Sequence, residues 1–389
     1  MRTISRRAAV KGLAAAALLP GAALRGQTRV IATPIAIEED RVWIAAAIGG
    51  SRPLQFIIDT GAVVSLIQES VARELGLRVR GRVRLTGAGG PESFLVYEGR
   101  DVAFSNGTVQ RSVVFGAMPP DLVLGRDCAG VFAAGLLTQA DSDLDFGRGE
   151  WRLYPAGRED RQGYRELPSS IQHVAHNESG SPYMLVDASI DGNSYRFLLD
   201  TGAPGQVRLW SRGVRRSGLW NDAGPYAPGR AFGIGGAGAH SRTVRAGVLR
   251  IGDFVFERPL VDLNAPTSAH EGDFADGIIG LRCLELLNLS TDIRRRRLWA
   301  QPSGRPQRPE RYRLSGIWVE QRGDALEITD LSPRSPAAEA GLQRGDQILD
   351  LTMAEYSRRT NGRSGETIAL RYRRGGDIRT ARMTLREFL

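Results

Sequence analysis

Lysine is all but missing: Lys11 is the only one among 52 basic residues, a skew that reflects genome composition more than function. Cysteine is scarce, with only Cys128 and Cys283, which excludes a disulfide framework. An oxidising compartment would permit one bridge, and two buried thiols fit equally well. Histidine is scarce too, at four residues. His173 and His176 have a loose metal-like spacing but sit near a polar turn with no partner ligands, so no metal is expected. Walker-type loops and serine nucleophile elbows are absent, and no cofactor is called for. Beyond the N-terminal leader no apolar run is long enough to span a bilayer. Arg294–Arg297 is basic, but strand alternation sends its side chains to opposite faces, so no nucleic-acid partner is expected.

The charge has the same lesson. The first 26 residues hold five basic residues (Arg2, Arg6, Arg7, Lys11 and Arg25) and no acid, which leaves +4 of the formal +9 for the rest. There Ser5-Arg6-Arg7-Ala8-Ala9-Val10-Lys11 precedes the apolar run Gly12–Leu19, a leader too short to anchor a mature chain. It resembles a bacterial twin-arginine export signal, so the mature chain is expected in the periplasm or outside the cell. The 389 residues suffice for two or three domains, and 47 glycines fit a strand-rich fold with many tight turns.

What is present is a repeat. Phe56-Ile57-Ile58-Asp59-Thr60-Gly61-Ala62 returns as Phe197-Leu198-Leu199-Asp200-Thr201-Gly202-Ala203. Before each motif the sequence reads as a hairpin: Val42–Ile48 leads into the first aspartate and Tyr183–Ile190 into the second. After each comes a segment ending in Gly-Leu, at Gly76-Leu77 and Gly218-Leu219, and the first of these reads as a short helix capped at Gly76. A glycine cluster follows, Gly87-Ala88-Gly89-Gly90 and Gly233–Gly238, each placed to be a hairpin tip. Next, Leu122-Val123-Leu124-Gly125 pairs with Gly277-Ile278-Ile279-Gly280, which puts Cys128 and Cys283 at matching positions. Both copies close with a charged, strand-like stretch, Leu144–Tyr154 and Thr291–Trp299.

A carboxylate at the end of a buried strand is costly, so two in matching contexts are expected to meet. Close together they share one proton. The ionised member can take a proton from water while the protonated one polarises a carbonyl. Gly61 and Gly202 let the backbone turn beside the carboxylates, and Thr60 and Thr201 can bridge to the opposite loop.

With both Asp-Thr-Gly-Ala motifs in view, residues 30–300 resemble the clan AA aspartic proteases of the retropepsin type, fused in tandem. The resemblance implies a mainly β fold: two pseudo-symmetric acid-protease β-barrel lobes, over 28–157 and 158–301. It implies Asp59 and Asp200 as the catalytic pair, a polypeptide substrate in the cleft between lobes, and flaps at Gly87, Gly89 and Gly90 and at Gly235 and Gly236. Leu124-Gly125-Arg126-Asp127 is close to the retropepsin pattern, whereas Gly280-Leu281-Arg282-Cys283 departs from it.

Residues 302–311 read as a linker, and 312–389 resemble a bacterial PDZ domain, α+β with a partly open barrel. Ser335-Pro336 opens a compact helix signal that runs to Leu342 and is followed by Gly345-Asp346-Gln347-Ile348-Leu349. That resemblance places peptide binding at Leu314, Ser315, Gly316, Ile317 and Val319, with an incoming peptide or protein C-terminus adding as a strand. The whole chain thus reads as an exported aspartic endopeptidase able to work as a monomer. The alternative is an inactive peptide-binding scaffold on the same folds.

Overall fold

The structure, a computed structural model, describes residues 18–19, 30–87, 90–118, 124–125, 127–174, 180–233, 236–268 and 273–389. The expected export signal lies almost wholly outside these, as do Gly89, Arg126, His176 and Gly235. Among the described residues no helix is long and apolar enough to cross a membrane.

The chain is mainly β. The described strands form sheets of fourteen, ten and five strands. Period-two burial drives them: in Arg41–Ile48, alternate residues Val42, Ile44, Ala46 and Ile48 are buried. This strand pairs with Leu54–Ile58 in the first lobe, just as Tyr183–Ile190 pairs with Asn193–Asp200 in the second. Both glycine clusters are hairpin tips: Gly87 faces Gly90, and Gly233 faces Gly236. Helix Glu69–Glu74 ends before Gly76 at φ +61°, and helix Ser211–Ser217 ends at Gly218 at φ +68°. The extra length of the second copy is a break: one strand, Gly90–Phe104, does in the first lobe what Gly236–Arg245 and Val248–Ile251 do together in the second.

One expected match is corrected. In the second lobe Gly277–Gly280 runs parallel to the strand that ends at Asp200. In the first lobe that place belongs to Cys128–Phe132, with Phe56 beside Gly130 and Ile58 beside Phe132, rather than to the expected run ending at Gly125, whose Leu122 and Val123 lie outside the described residues. Packing explains the choice. A Cβ on Gly130 would lie 2.2 Å from the Leu66 carbonyl oxygen, and one on Gly277 would lie 2.1 Å from that of Arg208. Gly125 instead sits at φ +120° with no backbone that close. Cys128 therefore opens a strand while Cys283 lies in helix Leu281–Leu284, so their positions do not match, and both are free, buried thiols.

The lobes share a sheet. Asp143 and Leu144 of the first pair with Ser290 and Leu289 of the second. The connection between them adds Arg158, bound to the buried Asp143, and Arg161, bound to Asp141 at 3.0 Å. Residues 302–311, read as a linker, are pinned by charge: Arg308 reaches Asp40 and Glu285, each at 2.7 Å, and Glu310 reaches Arg245 at 2.6 Å.

The five C-terminal strands run in the order Ile317–Arg322, Ala325–Leu331, Gln347–Ile348, Thr367–Arg374, Asp377–Thr384. They enclose a separate core with helices Pro336–Glu339 and Met353–Thr360. Ser335 caps the first helix as expected, accepting from the Ala338 N–H, but the helix is a single turn.

Candidate active site

Each aspartate arrives on a buried strand. Phe56, Ile57 and Ile58 carry Asp59, and its N–H donates to the Phe132 carbonyl at 2.9 Å. Phe197, Leu198 and Leu199 carry Asp200, which stands beside Gly280. Parallel neighbours thus fix both aspartates at strand ends, where the chain turns through Thr-Gly-Ala.

The two turns grip each other. The Thr60 hydroxyl donates to the Leu199 carbonyl at 2.7 Å and accepts from the Thr201 N–H at 3.0 Å. The Thr201 hydroxyl donates to the Ile58 carbonyl at 2.6 Å and accepts from the Thr60 N–H at 3.1 Å. Both threonines are fully buried.

This grip brings the carboxylates together. A Cβ on Gly61 would lie 2.4 Å from the Asp200 carboxyl carbon, and one on Gly202 the same 2.4 Å from that of Asp59. Only glycine fits at either position. Asp59 Oδ1 accepts from the Gly61 and Ala62 N–H groups at 2.9 and 3.1 Å. Asp200 Oδ1 accepts from Gly202 and Ala203 at 2.8 and 3.1 Å. Burial pushes the Asp59 carboxyl well above its usual range, and the adjacent Asp200 charge pushes it further. Burial raises Asp200 as well, while the hydrogen bond from Asp59 and the Gly202 and Ala203 N–H groups pull it back. Both carboxyls are raised, which fits one proton shared by the pair.

Two segments of the chain match one family model. The family is the aspartyl proteases, and the model matches residues 44–128 and 186–282. Among solved structures, the chain is similar to basic 7S globulin from soybean, at 11% identity and a TM-score of 0.44, over 71% of this chain and 95% of that one. No curated protein matches the sequence.

The residues expected to do the chemistry, Asp59, Thr60, Gly61, Asp200, Thr201 and Gly202, all meet at this one place. Of the flap candidates, Gly87, Gly90 and Gly236 lie at the two hairpin ends. In the C-terminal sheet, Gly316 has φ +75°, Ser315, Ile317 and Val319 are buried, and Leu314 packs against the core. Strand Ile317–Arg322 lies at one edge of its five-stranded sheet. Among the described residues no group of three or more metal-type ligands occurs.

Sequence reasoning missed the aromatic residues beside the pair. Tyr183 stacks on Phe274 with centroids 4.7 Å apart and planes 7° from parallel, and Trp210 meets Phe274 edge-on at 5.5 Å. The Tyr183 phenol is pushed up to about 12 by burial and by the charges of Asp200 and Asp59. Its signal was available in the sequence: hairpin register places it opposite the second aspartate.

Proposed function

We propose that this chain is an aspartic endopeptidase, exported and able to act as a monomer, in which Asp59 and Asp200 activate one water. The reading is carried by the reciprocal fit of the two loops, in which each glycine leaves room for the other loop's carboxylate. The ionised member of the pair takes a proton from the water, and the oxygen attacks the scissile carbonyl carbon. The protonated member gives its proton to the carbonyl oxygen, which leaves a neutral tetrahedral diol. A proton then passes to the amide nitrogen and the C–N bond breaks.

The substrate lies extended between the lobes, under the two glycine-tipped hairpins, which exclude water from the reacting bond. The C-terminal sheet, read as a PDZ domain, offers its edge strand Ile317–Arg322 to a peptide or protein C-terminus.

The experiment is to incubate the mature chain with a diverse peptide mixture from acidic to neutral pH, beside Asp59→Asn and Asp200→Asn. The enzyme reading expects cleavage by the parent chain and loss in both variants. Equal, negligible cleavage by all three would leave a peptide-binding scaffold. Cleavage that survives in either variant would rule out a shared pair.

A further inference from the structure

The short strand that follows each Asp-Thr-Gly-Ala turn holds the same place in both lobes. In the first, Ser65–Ile67 runs antiparallel to Cys128–Phe132, with Leu66 beside Val131. In the second, Val207–Leu209 runs antiparallel to Gly277–Gly280, with Arg208 beside Ile278. Val131 and Ile278 are equivalent, because they pair with Ile57 and Leu198, each two residues before its aspartate. No register shift falls between these pairs and the aspartates. Arg208 therefore stands where the first lobe has Leu66. Leu66 is buried in an apolar cluster with Ile57, Met118 and Val131. Leu198 and Ile278 belong to an apolar cluster too, but the side chain at 208 is charged.

Arg208 lines a cavity of about 270 Å³. The same cavity takes in Pro204 and Gly205, directly after the second Asp-Thr-Gly-Ala turn, and Asp40 of the first lobe. It thus lies between the lobes, beside the turn that carries Asp200. Small-molecule clefts usually measure about 300–1,000 Å³, so this one suits a single side chain of a longer ligand. Its lining is rich in positive charge: Arg208, Arg282, Arg308 and Arg311 stand against Asp40, Asp262 and Glu310. Two of the acids are committed elsewhere. Asp40 binds Arg282 at 2.8 Å and Arg308 at 2.7 Å, and Glu310 binds Arg245 at 2.6 Å. Among the described residues only Asp262 is within ion-pair distance of Arg208, at a long 3.4 Å. Asp262 also accepts from the Thr243 hydroxyl at 2.6 Å. The Arg208 Nε–H is buried and has no partner among the described residues, while about a quarter of the side chain, 26%, stays exposed. The arginine is also close enough to act on the pair: burial raises Asp200, and the Arg208 charge is among the influences that pull it back.

We propose that this cavity is a subsite for an acidic side chain of the substrate, with Arg208 as the specificity-determining residue. This inference rests on the protease reading. An extended peptide between the lobes passes the turn that carries Asp200, which brings one of its side chains to the cavity mouth. A glutamate or aspartate there offers two oxygens to the forked guanidinium, a stronger match than the long pair with Asp262. Glutamine has the same shape but one acceptor oxygen and no charge. The first lobe, with Leu66 at the equivalent place, has no such preference, so the acid is selected at one position relative to the cut.

The test is cleavage-site profiling of a peptide library by mass spectrometry with the full mature chain, followed by kcat/KM for a glutamate peptide and its glutamine analogue. The glutamate peptide should be preferred at least about ten-fold at one position. Arg208→Leu installs the residue that the first lobe carries and should bring the ratio close to one. Arg208→Lys should keep part of the preference. Asp262→Asn frees Arg208 from its acid and should raise the ratio. No acidic enrichment at any position, a ratio unchanged in Arg208→Leu, or a ratio lowered in Asp262→Asn would overturn the proposal. Binding of the two peptides to Asp59→Asn, with and without Arg208→Leu, is measured in parallel. A chain that cuts nothing sinks the protease reading. The subsite then stands if the glutamate peptide binds more tightly and loses that advantage in Arg208→Leu, and falls if the two bind equally.

Discussion

At the scale of single residues, the dyad is an unstable arrangement held by a stable one. Each threonine hydroxyl pairs two buried backbone groups of the opposite loop. Thr60→Val keeps the shape but strands the Leu199 carbonyl and the Thr201 N–H. Unpaired buried groups cost about 1–3 kcal/mol apiece, so a loss of about 2–6 kcal/mol is expected, read from the urea midpoint at unchanged m-value. Asp59→Asn should act in the opposite sense. A carboxyl raised by folding stabilises the fold when protonated, and that contribution is lost as pH rises through the folded value. The asparagine variant never bears that charge, so its melting temperature should exceed the parent's near neutral pH. The gap should close below the ordinary carboxylate range, where both chains are neutral at this position. A gap constant with pH would count against a buried, shared proton.

At the scale of elements, the strand behind each aspartate sets its position. Gly130 and Gly277 touch backbone where a Cβ would stand, so Gly130→Ala and Gly277→Ala should each cost about 1–3 kcal/mol or more, again by urea unfolding. A mild effect at Gly130 would undo the assignment of Cys128–Phe132 to this place. The example also marks what the sequence could disclose. The Asp-Thr-Gly-Ala motifs, the hairpins before them and the glycine tips follow local rules of alternation and turn chemistry, and they were legible. The parallel strand of the first lobe was not, because Gly130-Val131-Phe132-Ala133 ends in alanine where Gly280 stands in the second, while Leu122–Gly125 imitates the pattern nearby. Parallel pairing depends on residues distant in sequence, and a local motif can point to the wrong run. Of the aromatic cluster, Tyr183 could be read from its hairpin, but Trp210 and Phe274 were hidden for the same reason, since they come from separated segments.

At the scale of the whole molecule, the C-terminal sheet is fastened to the second lobe beside its glycine-tipped hairpin. Tyr226 is buried, its hydroxyl donates to Asp330 at 2.8 Å, and its N–H donates to Ser332 at 2.9 Å. Arg230, on the outer strand of that hairpin, binds Glu320 on the sheet's edge strand. Tyr226→Phe with Arg230→Ala should therefore split a single calorimetric unfolding transition into two. One unchanged transition would mean that these contacts do not join the parts. The central claim remains that two halves of one chain make a single acid–base unit, and the pH dependence of kcat/KM on a cleaved peptide tests it most directly. A bell is predicted, with both limbs belonging to the pair and the alkaline limb above the usual carboxylate range, because burial and the Asp200 charge raise Asp59. A rate that climbs to neutrality and stays there, or a bell unchanged in Asp59→Asn, would contradict it.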